Sequence, residues 1–109
     1  MISEGEMRRA LNFLQESAAE VGKLRENAIY TERQTKRILA FGKQAHSDKP
    51  ANVQEREAYA ADAYHKAIMA EAKALGQWEY IKARRDHAAT LIEVWRTLEA
   101  NHRAANRGG

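Results

Sequence analysis

A single proline, Pro50, divides this 109-residue chain into two stretches with hardly another turn signal in either. Proline has no backbone N–H, and it disfavours helix at the residue before it, here Lys49. The segment His46-Ser47-Asp48-Lys49-Pro50-Ala51-Asn52 is the one run that reads as a loop. A β-sandwich or barrel needs a turn roughly every 8–12 residues. One proline and six glycines cannot supply them. The chain is therefore confined to long helices on either side of one connection.

The first helix is predicted over about 4–44. Ser3 followed by Glu6 matches a capping box, in which each side chain satisfies an orphan backbone N–H at the helix start. Small or apolar residues then recur at Met7, Leu11, Leu14, Ala18, Val21, Leu24, Ala28, Thr31, Thr35 and Ile38. The steps of three and four define one helical stripe. Gly42 is expected as a C′ residue near the end. After a loop over about 46–52, Asn52 and Glu55 resemble a second capping box. A second helix is predicted over about 53–104, with a stripe through Ala60, Ala63, Ala67, Ala70, Ala74, Ile81, Ala88, Ile92 and Trp95. Gly76 is its weak point, costing about 1 kcal/mol against alanine. Arg107-Gly108-Gly109 is expected to fray.

A short loop makes long helices antiparallel neighbours. The fold class expected is thus all-α: a long-helix hairpin resembling a coiled coil, in one helical domain. If the turn centres near Lys49, Ala28 meets Ala70 and Thr35 meets Ala63. Trp95 and the residues after it overhang the first helix. An alanine seam buries little area, and apolar burial contributes only about 25 cal/mol per Å². Tyr64, Ile68, Leu75 and Trp78 lie beside that seam and call for a second partner. They are the expected interface of a homo-oligomer, such as two hairpins in a multi-helix bundle. The competing expectation is a monomer whose second helix breaks near Gly76 and folds back as a three-helix bundle.

The chemistry of catalysis is sparse. No cysteine is present, which excludes disulfides, thiolate metal sites and cysteine nucleophiles. The serines are only Ser3, Ser17 and Ser47, and no glycine-rich phosphate loop occurs. Asp62-x-x-His65 and Glu99-x-x-His102 each place a carboxylate and an imidazole on one helical face. Paired motifs of this kind build di-iron sites in bundles, but about 55 Å of helix separates these two. They read as exposed ion-pairing side chains. No catalytic residue, metal or cofactor is expected. No apolar run approaches the ~18 residues of a membrane span, so a cytoplasmic location without membrane contact is expected.

The net charge is +3, and the excess of basic residues sits at both ends of the chain. From Lys73 onward, seven Lys and Arg oppose four Asp and Glu. Lys82, Arg84 and Arg85 stand beside Trp78 and Tyr80, while Arg96, Arg103 and Arg107 follow Trp95. Cations interleaved with aromatics suit single-stranded nucleic acid, through phosphate attraction and base stacking. These six basic residues are the candidate contacts for nucleic acid or a protein partner. The alternative is that Trp78, Ile81 and Trp95 pack in the seam and the arginines lay their stems over it.

The run Ile92-Glu93-Val94-Trp95-Arg96-Thr97-Leu98-Glu99-Ala100-Asn101-His102-Arg103-Ala104 resembles the end of a group of small helical phage proteins. Their aromatic-rich helix closes with a Trp-Arg-Thr step and an Asn-x-Arg-Ala tail. The likeness covers roughly the second helix. It implies a phage origin, action in the host cytoplasm, and a non-enzymatic accessory role in DNA recombination or replication. A phage or host protein, or single-stranded DNA, would be the partner. Two other functions fit a small helical protein: inhibition of a host defence complex or nuclease, and service as a coiled-coil assembly component.

Overall fold

The computed structural model describes residues 2–108. Three helices occur among them, α1 (Glu4–Gln44), α2 (Ala51–Ala60) and α3 (Asp62–Gly108), with no strand. The chain is an all-α, long-helix hairpin. No helix among the described residues is long and apolar enough to cross a membrane. At the start of α1, the Glu6 N–H donates to the Ser3 hydroxyl at 3.1 Å, the bond expected of a serine cap. Gly42 does not end α1, which runs on to Gln44. No described glycine has a positive φ, so Gly42 is not a C′ cap. Its lack of a side chain serves packing instead. A Cβ placed there would lie 3.0 Å from the Ala58 Cβ and 3.2 Å from the Ala58 Cα.

The second helical stretch differs most from expectation. Pro50, not Asn52, occupies the N-cap of α2, and no side chain caps it. Gln54 instead ties the loop down, donating to the Lys49 carbonyl at 2.6 Å. The helix then breaks at Ala61, whose φ of −66° and ψ of 140° are extended. Neither glycine nor proline marks this break. The Ala61 carbonyl accepts from the Tyr64 and His65 N–H groups and so opens α3. Tyr59 and Tyr64 bridge the break edge to face, with ring centroids 5.1 Å apart. Gly76 interrupts nothing: α3 is continuous through it, and the fold-back at that point does not occur. Arg107 and Gly108 remain helical rather than frayed, and Gly109 lies outside the described residues.

Contacts group into two units. In Gly22–Trp78, α1 packs on α2 and the start of α3. Its buried residues are small: Ala28, Thr35, Ala58, Ala67 and Ala74. The Thr35 hydroxyl bonds its own helix at the Thr31 carbonyl, 2.9 Å away, and sits 3.4 Å from the Ala67 carbonyl. Thr35 therefore lies opposite Ala67, not Ala63. The shift is one helical turn, and Ala63 and Ala70, expected in the seam, are exposed, as is Ala60. Ala61 adds a non-helical residue, which resets the phase of everything after it. Tyr64 and Trp78 are half-buried, whereas Ile68 and Leu75 are 37% and 48% exposed.

The other unit pairs α1 up to Val21 with α3 from Glu79 onward. Ala10, Ala88 and Ile92 form its core, with Met7, Phe13, Leu14 and Leu91 packed against it. Ser17 is 3% exposed and Leu11 is 41% exposed. The expected stripe through Leu11 and Ala18 is thus displaced by one position, to Ala10 and Ser17. Small residues at those sites let the backbones approach, which a leucine would prevent. Phe13 and Leu14 cover the sides of the contact.

Candidate nucleic-acid interface

The three residues of the first basic cluster have separate fates. Arg85 turns inward. Its Nη1 donates to the Leu14 carbonyl at 2.8 Å and to the Ser17 hydroxyl at 2.6 Å, and the Ser17 O–H in turn donates to the Phe13 carbonyl. A guanidinium carries five donors, so one arginine can close such a network on a buried hydroxyl and a carbonyl. Arg85 is therefore a structural bolt between α1 and α3 rather than an exposed contact. Lys82 is half-buried and pairs with Glu79 at 3.5 Å.

Arg84 stays at the surface and organises a cleft. Its guanidinium carbon lies 4.3 Å from the centre of the Phe13 ring and 5.8 Å from that of Tyr80. Both distances fall within the ~6 Å reach of a cation–π contact. Tyr80 is 65% exposed, so most of its ring is open to solvent. The three side chains make one wall of a cleft of about 460 Å³. Ala10, Ala83, Ala88 and Leu91 form its apolar floor, and Glu6, Arg9 and His87 complete the rim. Alanines set the depth: their short side chains let a groove open between the flanking Phe13 and Tyr80.

Phe13, Arg9 and His87 belong to this site but are not among the residues expected from the sequence. Phe13 carries the clearest signal of the three. It stands three residues after Ala10 and four before Ser17, the spacing of a side chain that flanks a seam. Its partner Arg84 is 71 positions away, and only the antiparallel pairing brings them together.

The second basic cluster lies along the end of α3. Arg96 pairs with Glu93 at 3.1 Å on an exposed face, an ion pair of modest worth. Trp95 is half-buried, and with Ile2, Leu98, Glu99 and His102 it lines a second cleft of about 380 Å³. Beyond that turn α3 continues past the start of α1, and every residue from Asn101 to Gly108 is exposed. Arg103 and Arg107 project from this arm, and the Asn106 amide and the His102 ring meet at 3.3 Å. The overhang begins one turn later than expected, after Glu99 rather than at Trp95.

Among the described residues no group of three or more His, Asp or Glu side chains could hold a metal ion. Asp62 pairs with Lys66 at 3.1 Å, the expected use of an exposed helical carboxylate. Compared with known proteins, the chain matches no family model, no curated protein and no solved structure.

Proposed function

We propose that this chain is a non-enzymatic accessory of phage DNA recombination or replication, and that it binds single-stranded DNA at the Phe13–Arg84–Tyr80 cleft. One observation carries the reading: an exposed tyrosine ring stands beside an arginine held over a second ring, above an apolar floor. A base can stack on the open Tyr80 face, while Arg84 and Arg9 offer charge to the flanking phosphates. Stacking on an aromatic side chain is worth about 1–3 kcal/mol per base, whatever the base. The phage context rests on the Ile92–Ala104 run and its likeness to phage proteins. Fluorescence anisotropy with a labelled oligothymidylate tests the site. Tyr80→Ala should weaken binding roughly 5- to 150-fold with helicity unchanged. Absence of binding by the parent protein, or equal binding by the variant, would refute the reading. Capture from infected cells should add a recombinase or single-strand-binding protein.

Self-association is the second reading. Ile68, Met69 and Leu75 leave an apolar surface on the first half of α3, with Met69 60% exposed. Contiguous exposed apolar patches mark interaction sites. The pairing surface is narrower than the sequence suggests, because Tyr64 and Trp78 are already half-buried within the chain. Ile68→Glu should convert an oligomer to single chains in light scattering, since a buried unpaired charge is costly. A parent protein that scatters as one chain at micromolar concentration removes this reading.

A further inference from the structure

The arm of α3 beyond Glu99 differs chemically from the cleft. From Ala100 to Gly108 it has no acidic residue and no aromatic ring, and among the described residues no helix faces it. Without a ring it cannot stack on unpaired bases, so single-stranded DNA gains little from it beyond charge. Its residues instead suit a duplex. We infer that this arm is a recognition helix that enters the major groove of double-stranded DNA, with Asn101 reading a base edge. The inference concerns a different surface from the Tyr80–Arg84 cleft and does not depend on that reading.

Helix geometry sorts the side chains. At about 100° per residue, Ala104 and Ala105 lie about 60° and 40° to either side of Asn101. This face carries only short side chains, so the backbone can come close to the floor of a groove. A major groove about 12 Å wide and 8.5 Å deep admits one helix. Nine residues give an arm about 13 Å long, enough to reach that floor. An asparagine amide can both donate to and accept from adenine N6 and N7, and an alanine methyl can touch the thymine methyl. Arg107 stands about 120° round from Asn101 on one shoulder, and His102 about 100° round on the other. Both shoulders therefore face the phosphate walls. Arg103 lies about 160° from Asn101 and points away from the duplex.

Selection from a duplex library with a randomised core of about 20 base pairs, two turns of B-form helix, tests the inference on the full chain. The parent should enrich a short motif containing A·T pairs. Asn101→Ala should relax the preference for adenine roughly 5- to 150-fold. Ala105→Leu preserves helix propensity but adds bulk, and should weaken duplex binding. Arg107→Ala should weaken all duplexes alike and reduce the salt slope by about 0.9, while Arg103→Ala should change little. Circular dichroism checks that each variant stays helical. No enriched motif, or the same motif from Asn101→Ala, overturns the inference. Equal losses from Arg103→Ala and Arg107→Ala also overturn it, because they mean a diffuse basic surface. Loss of duplex binding in the arm variants with oligothymidylate binding intact supports it.

Discussion

Three glycines inside the helices should respond to alanine with opposite signs. At Gly22 and Gly76 nothing lies within 4 Å of the position a methyl would take, so a new Cβ there meets open space. Replacing either by alanine should stabilise the chain by about 0.5–1 kcal/mol, the difference in helix propensity. Gly42 is different. Its new methyl would sit 3.0 Å from the Ala58 Cβ and 3.2 Å from the Ala58 Cα. Carbon atoms at ordinary contact stand about 3.5–4.0 Å apart. Ala58 is 1% exposed and has no rotamer with which to yield. The helices must separate by a few tenths of an ångström, and overpacking of this kind costs about 1–3 kcal/mol. Set against a propensity gain of about 1 kcal/mol, Gly42→Ala should be destabilising by up to about 2 kcal/mol. Thermal unfolding followed by circular dichroism reads the result. About 1 kcal/mol moves the midpoint of a domain this size by roughly 4–8 °C. Gly22→Ala and Gly76→Ala should raise it, and Gly42→Ala should lower it. A rise for Gly42→Ala equal to the other two would refute the close approach of α1 to α2.

Other consequences follow from individual contacts. Arg85→Ala removes two charge-assisted bonds and should destabilise by about 2 kcal/mol in urea titrations, while Ser17→Ala should cost less and add little on top of Arg85→Ala, since the two share one network. If the double variant loses the full sum of the singles, the shared network is wrong. Arg84→Ala should lower the slope of log affinity against log salt for single-stranded DNA by about 0.7; an unchanged slope would remove Arg84 from the phosphate path. In hydrogen exchange, the amides of Asn101–Arg107 should exchange fastest within α3, because an unpacked helix this short is marginal in water, and a bound duplex should slow them. Protection of the free arm equal to that around Ala88 and Ile92 would mean that it is packed after all.

The first helix is legible in the sequence almost to the residue, because Ser3 supplies its cap and a regular pattern runs unbroken to Gln44. The phase of the seam is harder to read. Alanine is so frequent in this chain that Ala60, Ala63 and Ala70 make as good a stripe on paper as the residues that are buried. The break at Ala61 carries no local mark, and its geometry is compensated by contacts from elsewhere, the Tyr59–Tyr64 pair and the Ala58–Gly42 approach. At the candidate site, Lys82, Arg84 and Tyr80 stand out as a basic run beside an aromatic. Phe13 does not, since it reaches Arg84 only through the pairing of distant segments. Arg85 escapes a sequence reading for a general reason. An arginine beside a surface arginine looks like its neighbour, and only the buried Ser17 hydroxyl opposite it reveals the inward role.

The central claim is that Tyr80 stacks on unpaired bases. Photocrosslinking the full chain to a single-stranded oligonucleotide carrying bromodeoxyuridine, followed by mass spectrometry of the digested adduct, tests it most directly. Base-to-residue crosslinks of this kind form only at near-contact distance. The adduct should map to Tyr80, with a minor share on Phe13, and should disappear in Tyr80→Ala. Crosslinks confined to Tyr30 or Tyr59, or none at any tyrosine under conditions where the oligonucleotide is bound, would contradict it.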